Sequence, residues 1–274
     1  MTVNREGSRT RREFLKVVAA AGVGAAAATV GRGAKDEDAL RGTDPLVWGP
    51  YRFGREIYRN PLRGPGDVAG CRLEGQAKVS FPRGRLRLEN ALDPALGQKS
   101  NYVYWLPRVM PASFAATWEF WPVREPGLCM MLFAARGRKG EDLFDPALAR
   151  RTGEYDQYNA GDIDMLHLSY FRRVKGEPRS FHVCNFRKSY GFHLVAEGAD
   201  PLANVSDALP PYRMALIKLG PEIAFYINHL EILRWVDDGR RYGPVLGEGY
   251  MGLRQMAPLV AEYENLVLRE VTRL

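Results

Sequence analysis

Ile163-Asp164-Met165-Leu166-His167-Leu168-Ser169-Tyr170-Phe171 has the length and apolar weight of one strand, and Phe181-His182-Val183-Cys184-Asn185-Phe186 of a second. Between them lies a basic turn with Arg172, Arg173, Lys175, Gly176 and Pro178; after them comes a short polar segment, Arg187-Lys188-Ser189-Tyr190-Gly191. Strand side chains alternate between two faces, so residues two apart share a face. That rule groups His167 with Met165 and Ser169, and Asn185 with Arg187. Burying such groups without partners is costly. A face presenting His167, Ser169, Asn185 and Arg187 on adjacent strands is therefore expected to be wet and to hold a ligand.

The same pattern extends outward. Strand-length runs recur at 72–79, 85–90, 102–106, 114–121 and 128–136, and again at 212–219, 222–227, 230–236, 249–255 and 263–271. Turn residues separate most of them: Pro82-Arg83-Gly84, the segment 122–127, Gly220-Pro221 and Asp237-Asp238-Gly239. Asn228-His229 has the form of a two-residue hairpin turn. Helical periodicity beyond about ten residues is absent from this region, which excludes an α/β fold built on amphipathic crossovers. The expected architecture is all-β, a jelly-roll sandwich of two antiparallel sheets over residues 71–274. Residues 35–70, rich in Gly, Pro and Arg, read as a wrapping arm with a short strand or two.

Thr10-Arg11-Arg12-Glu13-Phe14-Leu15-Lys16, followed by an Ala/Gly/Val run at 17–30, has the pattern of a twin-arginine export signal. The apolar run falls short of the roughly 20 residues that span a bilayer. A cleaved signal at 1–34 is expected, with the folded domain carried to the periplasm or exterior and no stable membrane anchor left. The signal holds six basic and two acidic residues of the 39 and 32 in the chain, leaving a net charge of +3 from 33 and 30. A nucleic-acid footprint is not expected from that balance. Cys71, Cys129 and Cys184 match no zinc spacing and are expected as buried thiols, with a Cys129–Cys184 bridge as the alternative.

Candidate chemistry clusters around the central stretch. Asp162 and Asp164 stand two apart, about 7 Å at Cβ, within the roughly 5–9.5 Å range of glycosidase carboxyl pairs. His167 titrates near neutrality in its free form and suits a general acid or base. Tyr155, Tyr158 and Tyr170 are phenolic partners for it. Arg187 and Lys188 suit an anionic ligand such as a uronic acid, with Arg151 as a further cation. Arg172 and Arg173 precede a turn and read as water-facing. Trp105 is a stacking candidate for a sugar face; Glu119 points away from its aromatic neighbours, and Ser169, Asn185, His193 and Gln255 complete the polar set. The acid-rich loop 141–156 offers oxygens for a calcium ion without a diagnostic spacing. No other cofactor is expected.

Four phrases carry a resemblance: Gly140-Glu141-Asp142-Leu143-Phe144-Asp145, Ser169-Tyr170-Phe171, Cys184-Asn185-Phe186-Arg187-Lys188-Ser189 and Gly252-Leu253-Arg254-Gln255-Met256, set within residues 105–267. With them the chain resembles the YesU-like family of the concanavalin A-like lectin/glucanase superfamily. The resemblance implies a concanavalin A-like sandwich and an association with breakdown of pectin-type acidic glycans. It implies no agreed reaction or catalytic residues. The expected function is an exported carbohydrate-active protein, a glycoside hydrolase or polysaccharide lyase acting in a concave sheet groove. A lectin-like glycan-binding module is the alternative, and a structural envelope protein a third reading.

Overall fold

In the computed structural model, residues 45–174 and 182–274 are described. The twin-arginine segment, most of the basic turn and Phe181 lie outside them. Sixteen strands among the described residues form two antiparallel sheets. A nine-stranded sheet runs β1 (Val47–Trp48), β2 (Tyr51–Asn60), β16 (Val260–Arg273), β7 (Phe114–Arg124), β12 (Tyr212–Leu219), β13 (Glu222–Ile227) and β14 (Leu230–Val236). To it β5 (Leu86–Asn90) adds beside β16, and β4 (Ala77–Ser80) beside β5. A seven-stranded sheet runs β11 (His193–Ala199), β10 (Val183–Ser189), β9 (Ile163–Arg173), β8 (Gly127–Gly137), β15 (Gly249–Met256), β6 (Tyr102–Met110) and β3 (Arg72–Gly75).

Alternation along the strands sorts the side chains into layers. Cys129, Met131 and Phe133 of β8, with Leu166, Leu168 and Tyr170 of β9, join Phe120, Met214, Phe225 and Tyr263 in the core between the sheets. Each such apolar side chain contributes on the order of 1.5–3 kcal/mol by leaving water. The intervening residues Leu128, Met130, Leu132 and Met165 line the outer face of the seven-stranded sheet. Part of that face is roofed by the loop after β8, whose Leu143 and Tyr158 pack against Trp105 and Val103; it carries the short helix α1 (Asp156–Asn159). The part left open is the site described below.

Four local readings change. Where an arm with a short strand or two is expected over 35–70, the described part carries the ten-residue β2, which pairs with β16 along its length. Its Tyr51 and Phe53 pack beside Ala115, Ala215 and Tyr226 in a cluster on the outer face of the nine-stranded sheet. The run 72–79 divides into β3 and β4, which belong to different sheets. Gly75 makes the switch at φ +86, where a Cβ would lie 2.6 Å from Asn101 O. Arg187, Lys188 and Ser189 continue β10 instead of following it, and 193–199 is a further strand. The Asn228-His229 turn is as expected, both residues at positive φ. Cys71, Cys129 and Cys184 are free thiols, so no Cys129–Cys184 bridge is present. Burial pushes the Cys129 thiol up to about 12.

Candidate functional site

Strand register assembles the site. One row crosses five strands of the open face: Arg254 on β15 opposite Met130 on β8, then Ser169 on β9, Asn185 on β10 and Glu197 on β11. The neighbouring row sets Leu132, His167, Arg187 and Leu194 side by side. Tyr155 from the roofing loop, Gln98 from the turn before β6 and Phe192 from the β10–β11 turn stand around these rows. Together they enclose a cavity of about 300 Å³, into which Arg172 also reaches.

The charges in this cavity do not balance. Arg254 is 2 % exposed, and its guanidinium donates to Gln98 Oε1 (3.1 Å) and Gly153 O (3.3 Å) and lies 3.7 Å from Met130 Sδ. All three partners are neutral, and its Nε has no hydrogen-bond partner among the described residues. Arg187 donates to Phe192 O (3.0 Å) and stacks over the Phe192 ring at 3.7 Å. Arg172 donates to Ser169 Oγ (3.1 Å). We assign the Asn185 amide so that its oxygen accepts from Arg172 (2.8 Å) and its nitrogen donates to Glu197 Oε1 (3.2 Å). Among the described residues, three guanidiniums thus line the cavity with one carboxylate. Burial, then Arg254 and Arg187, push His167 down to about 3, so it is neutral at physiological pH. Burial raises the Tyr155 phenol to about 12, against the opposing pull of Arg254, Arg187 and Arg172.

His167 Nε2 lies 2.6 Å from Ser189 Oγ, which also faces Tyr158 O (3.2 Å) and Met165 O (3.3 Å). Two carbonyls compete for the single hydroxyl proton, and donation to either leaves Oγ as acceptor from Nε2–H. The Nδ1 lone pair then faces the Tyr155 hydroxyl at 3.4 Å.

A family model described as "Domain of unknown function (DUF1961)" matches residues 55–268, which include both rows. The chain belongs to that family. It is 50 % identical over 223 residues to the uncharacterized protein YesU of Bacillus subtilis, covering 81 % of this chain and 99 % of YesU. The family resemblance read from the four phrases is thereby shown. A crystal structure of a Bacillus subtilis protein of unknown function with a galectin-like fold superposes at TM-score 0.78 and 50 % identity, covering 82 % of this chain and all of that one. Lectin I-B4 from Griffonia simplicifolia (TM-score 0.53, 11 % identity, 78 % of this chain and 98 % of the lectin) shares the fold. So does LamAcat from Zobellia galactanivorans (TM-score 0.50, 9 % identity, 80 % and 98 %). At such identities the likeness concerns fold alone.

Of the residues singled out in the sequence, His167, Ser169, Asn185, Arg187 and Tyr155 converge in this cavity. The others do not. Tyr170 lies in the core between the sheets, and so does Gln255, which bonds the Tyr102 and Tyr263 hydroxyls. Lys188 is buried on an ion pair with Asp237 (2.6 Å). Trp105 Nε1, the Tyr158 hydroxyl and Arg151 all converge on Glu74 beneath the roofing loop. Glu119 sits on the other sheet and accepts from Asn265. Asp162 caps the Ala149 amide, and Asp164 accepts from the Tyr190 amide on the face opposite His167, three residues removed. His193 stacks on Tyr242 outside the cavity. In the 141–156 loop, Asp142 and Asp145 accept from backbone amides, and no group of three or more His, Cys, Asp or Glu side chains converges among the described residues.

The water-facing reading of Arg172 and Arg173 is corrected. Phe171, at φ +46, breaks the alternation of β9. Tyr170 and Phe171 both turn inward, Arg172 returns beside Ser169, and Arg173 is buried on Asp200 (2.9 Å). Sequence reasoning also passed over Arg254 as a site residue and missed Glu197. Arg254 occupies the outward parity of β15 between core-facing Leu253 and Gln255, which was a usable signal. Glu197 depends on β11, whose sequence HLVAEGA carries little strand pattern.

Proposed function

We propose that this cavity takes one uronate unit of an acidic glycan and that the protein cleaves the chain there by β-elimination. The observation that carries the proposal is Arg254: a buried guanidinium held only by neutral groups, with Arg172 and Arg187 beside it. A buried cation without an anion is costly, and a ligand carboxylate relieves that cost through charge-assisted, bidentate contacts. A hydrolase with paired carboxylates is less well supported, since Asp162, Asp164 and Glu119 lie elsewhere and, among the described residues, Glu197 is the one acid lining the cavity.

Elimination needs no second carboxylate. The arginines hold the uronate carboxylate and stabilise negative charge that develops at C5. His167 Nδ1 takes the C5 proton, the C4–O bond breaks, the C4=C5 double bond forms, and the Tyr155 hydroxyl protonates the departing oxygen. Proton return from His167 to Tyr155 across their 3.4 Å contact restores both groups. His167 is held down first by burial and then by the field of Arg254 and Arg187; carboxylate binding offsets that second part and so strengthens the base when substrate is present. The twin-arginine motif supports an exported setting for this activity.

The test is incubation with uronic-acid oligosaccharides. The proposal expects unsaturated products, seen by the ultraviolet absorbance of the new double bond, and their loss in His167→Ala and Arg187→Ala with the fold retained. New reducing ends without that absorbance would indicate hydrolysis. Thermal stabilisation by the sugar with neither product would indicate a lectin-like binder.

A further inference from the structure

A second cleft, of about 340 Å³, opens beside the first. Its lining includes Arg138, Asp164, Tyr190, His193, Arg241 and Tyr242. The His193 and Tyr242 rings stack at 4.3 Å, the Arg138 guanidinium lies 3.9 Å above the Tyr190 ring, and that of Arg241 lies 5.0 Å from the Tyr242 ring. One carboxylate, Asp164, stands against the two guanidiniums, 3.9 Å from Arg138, and burial pushes its pKa up. The wall carrying Arg241 and Tyr242 is anchored from below. Lys188, buried under it, donates to Asp237 (2.6 Å), Gly243 O (2.9 Å) and Pro244 O (2.7 Å).

The two cavities share a wall one residue thick. Ser189 lines the second cleft while its Oγ touches His167 in the first. The Tyr190–His193 turn passes between them, with Phe192 facing the first cavity and Tyr190 and His193 the second. Tyr190 and Phe192, at 45 % and 55 % exposed, present aromatic surface to water on this crest. Rings that pack on the apolar faces of pyranoses, combined with guanidiniums that grip carboxylates, suit an acidic sugar.

We infer that this cleft is an accessory subsite for a second uronate unit of the same glycan, which crosses the Tyr190–His193 turn from the His167 cavity. The inference rests on the proposed function and extends it to substrate length: the protein prefers acidic chains long enough to reach both clefts.

Calorimetric titration of the full chain with oligouronides of increasing length tests it. Affinity is expected to rise by about tenfold or more once the oligomer spans both clefts, the size of one good charge-assisted contact. The double variant Arg138→Ala/Arg241→Ala, and separately Tyr242→Ala, should lose that gain while binding the shortest oligomer within about twofold of the unaltered protein. Two independent surface changes guard against a folding artefact in either. Variants that keep the full length-dependent gain would overturn the accessory subsite and leave the His167 cavity reading standing. Absence of binding by the unaltered chain at every length would overturn both.

Discussion

Two trios of arginines sit on the outer faces of the two sheets, and they differ in what they hold. On the nine-stranded sheet Arg83, Arg85 and Arg87 close around Glu262, which is fully buried and lies within 3.2 Å of each. On the seven-stranded sheet Arg172, Arg187 and Arg254 surround an open cavity, and neither Arg187 nor Arg254 has a carboxylate within ion-pair distance among the described residues. The first trio carries its anion in its own sequence. The second, under the proposed function, takes its anion from a ligand, which is why one patch reads as structure and the other as a candidate binding site.

Substitutions separate the two trios. Arg254→Met should reduce turnover of an acidic glycan by about a hundredfold or more, the scale of one lost charge stabiliser in a catalytic site. Steady-state rates by ultraviolet absorbance check it. The next effect is a pH dependence of stability. The unfolded chain's histidine takes up a proton below about 6.5, whereas folded His167 stays neutral down to about 3, so stability falls as pH drops through that window. The loss is on the order of 2 kcal/mol by about pH 5, and His167→Gln should remove it from denaturation curves. Glu262→Gln should cost about 1–2 kcal/mol, moderated because its arginines are partly exposed, and should leave glycan affinity unchanged. The smallest effect has the opposite sign. Arg254→Met removes a buried cation that lacks an anion, so unfolding stability should hold or rise by up to about 1 kcal/mol.

Much of this was legible from alternation and turn residues. The strands that became β7, β8, β9 and β12 through β15 carry continuous apolar runs bounded by Pro, Gly or Asn, and their parity placed His167, Ser169, Asn185 and Arg187 on one face. What was hidden arose where period two fails or the pattern is thin. The positive φ at Phe171 moved Arg172 into the cavity and Arg173 into an ion pair, an outcome set by packing that residue types do not encode. Tyr158 and Arg151 were diverted by Glu74, 84 and 77 residues away in the chain, a pairing made only when β3 joins the sheet. β2 hid behind its flanking prolines and glycines, and β11 behind small residues, so Glu197 stayed out of view.

A binding comparison between trigalacturonate and its methyl ester reaches the central claim most directly, because the two ligands differ chiefly in the charge that Arg254 and its neighbours are held to await. Titrated into the unaltered protein, the acid should bind about a hundredfold or more tighter than the ester, and Arg254→Met should bring the two close together. Equal affinity for acid and ester in the unaltered protein, or binding of neither, would contradict the account.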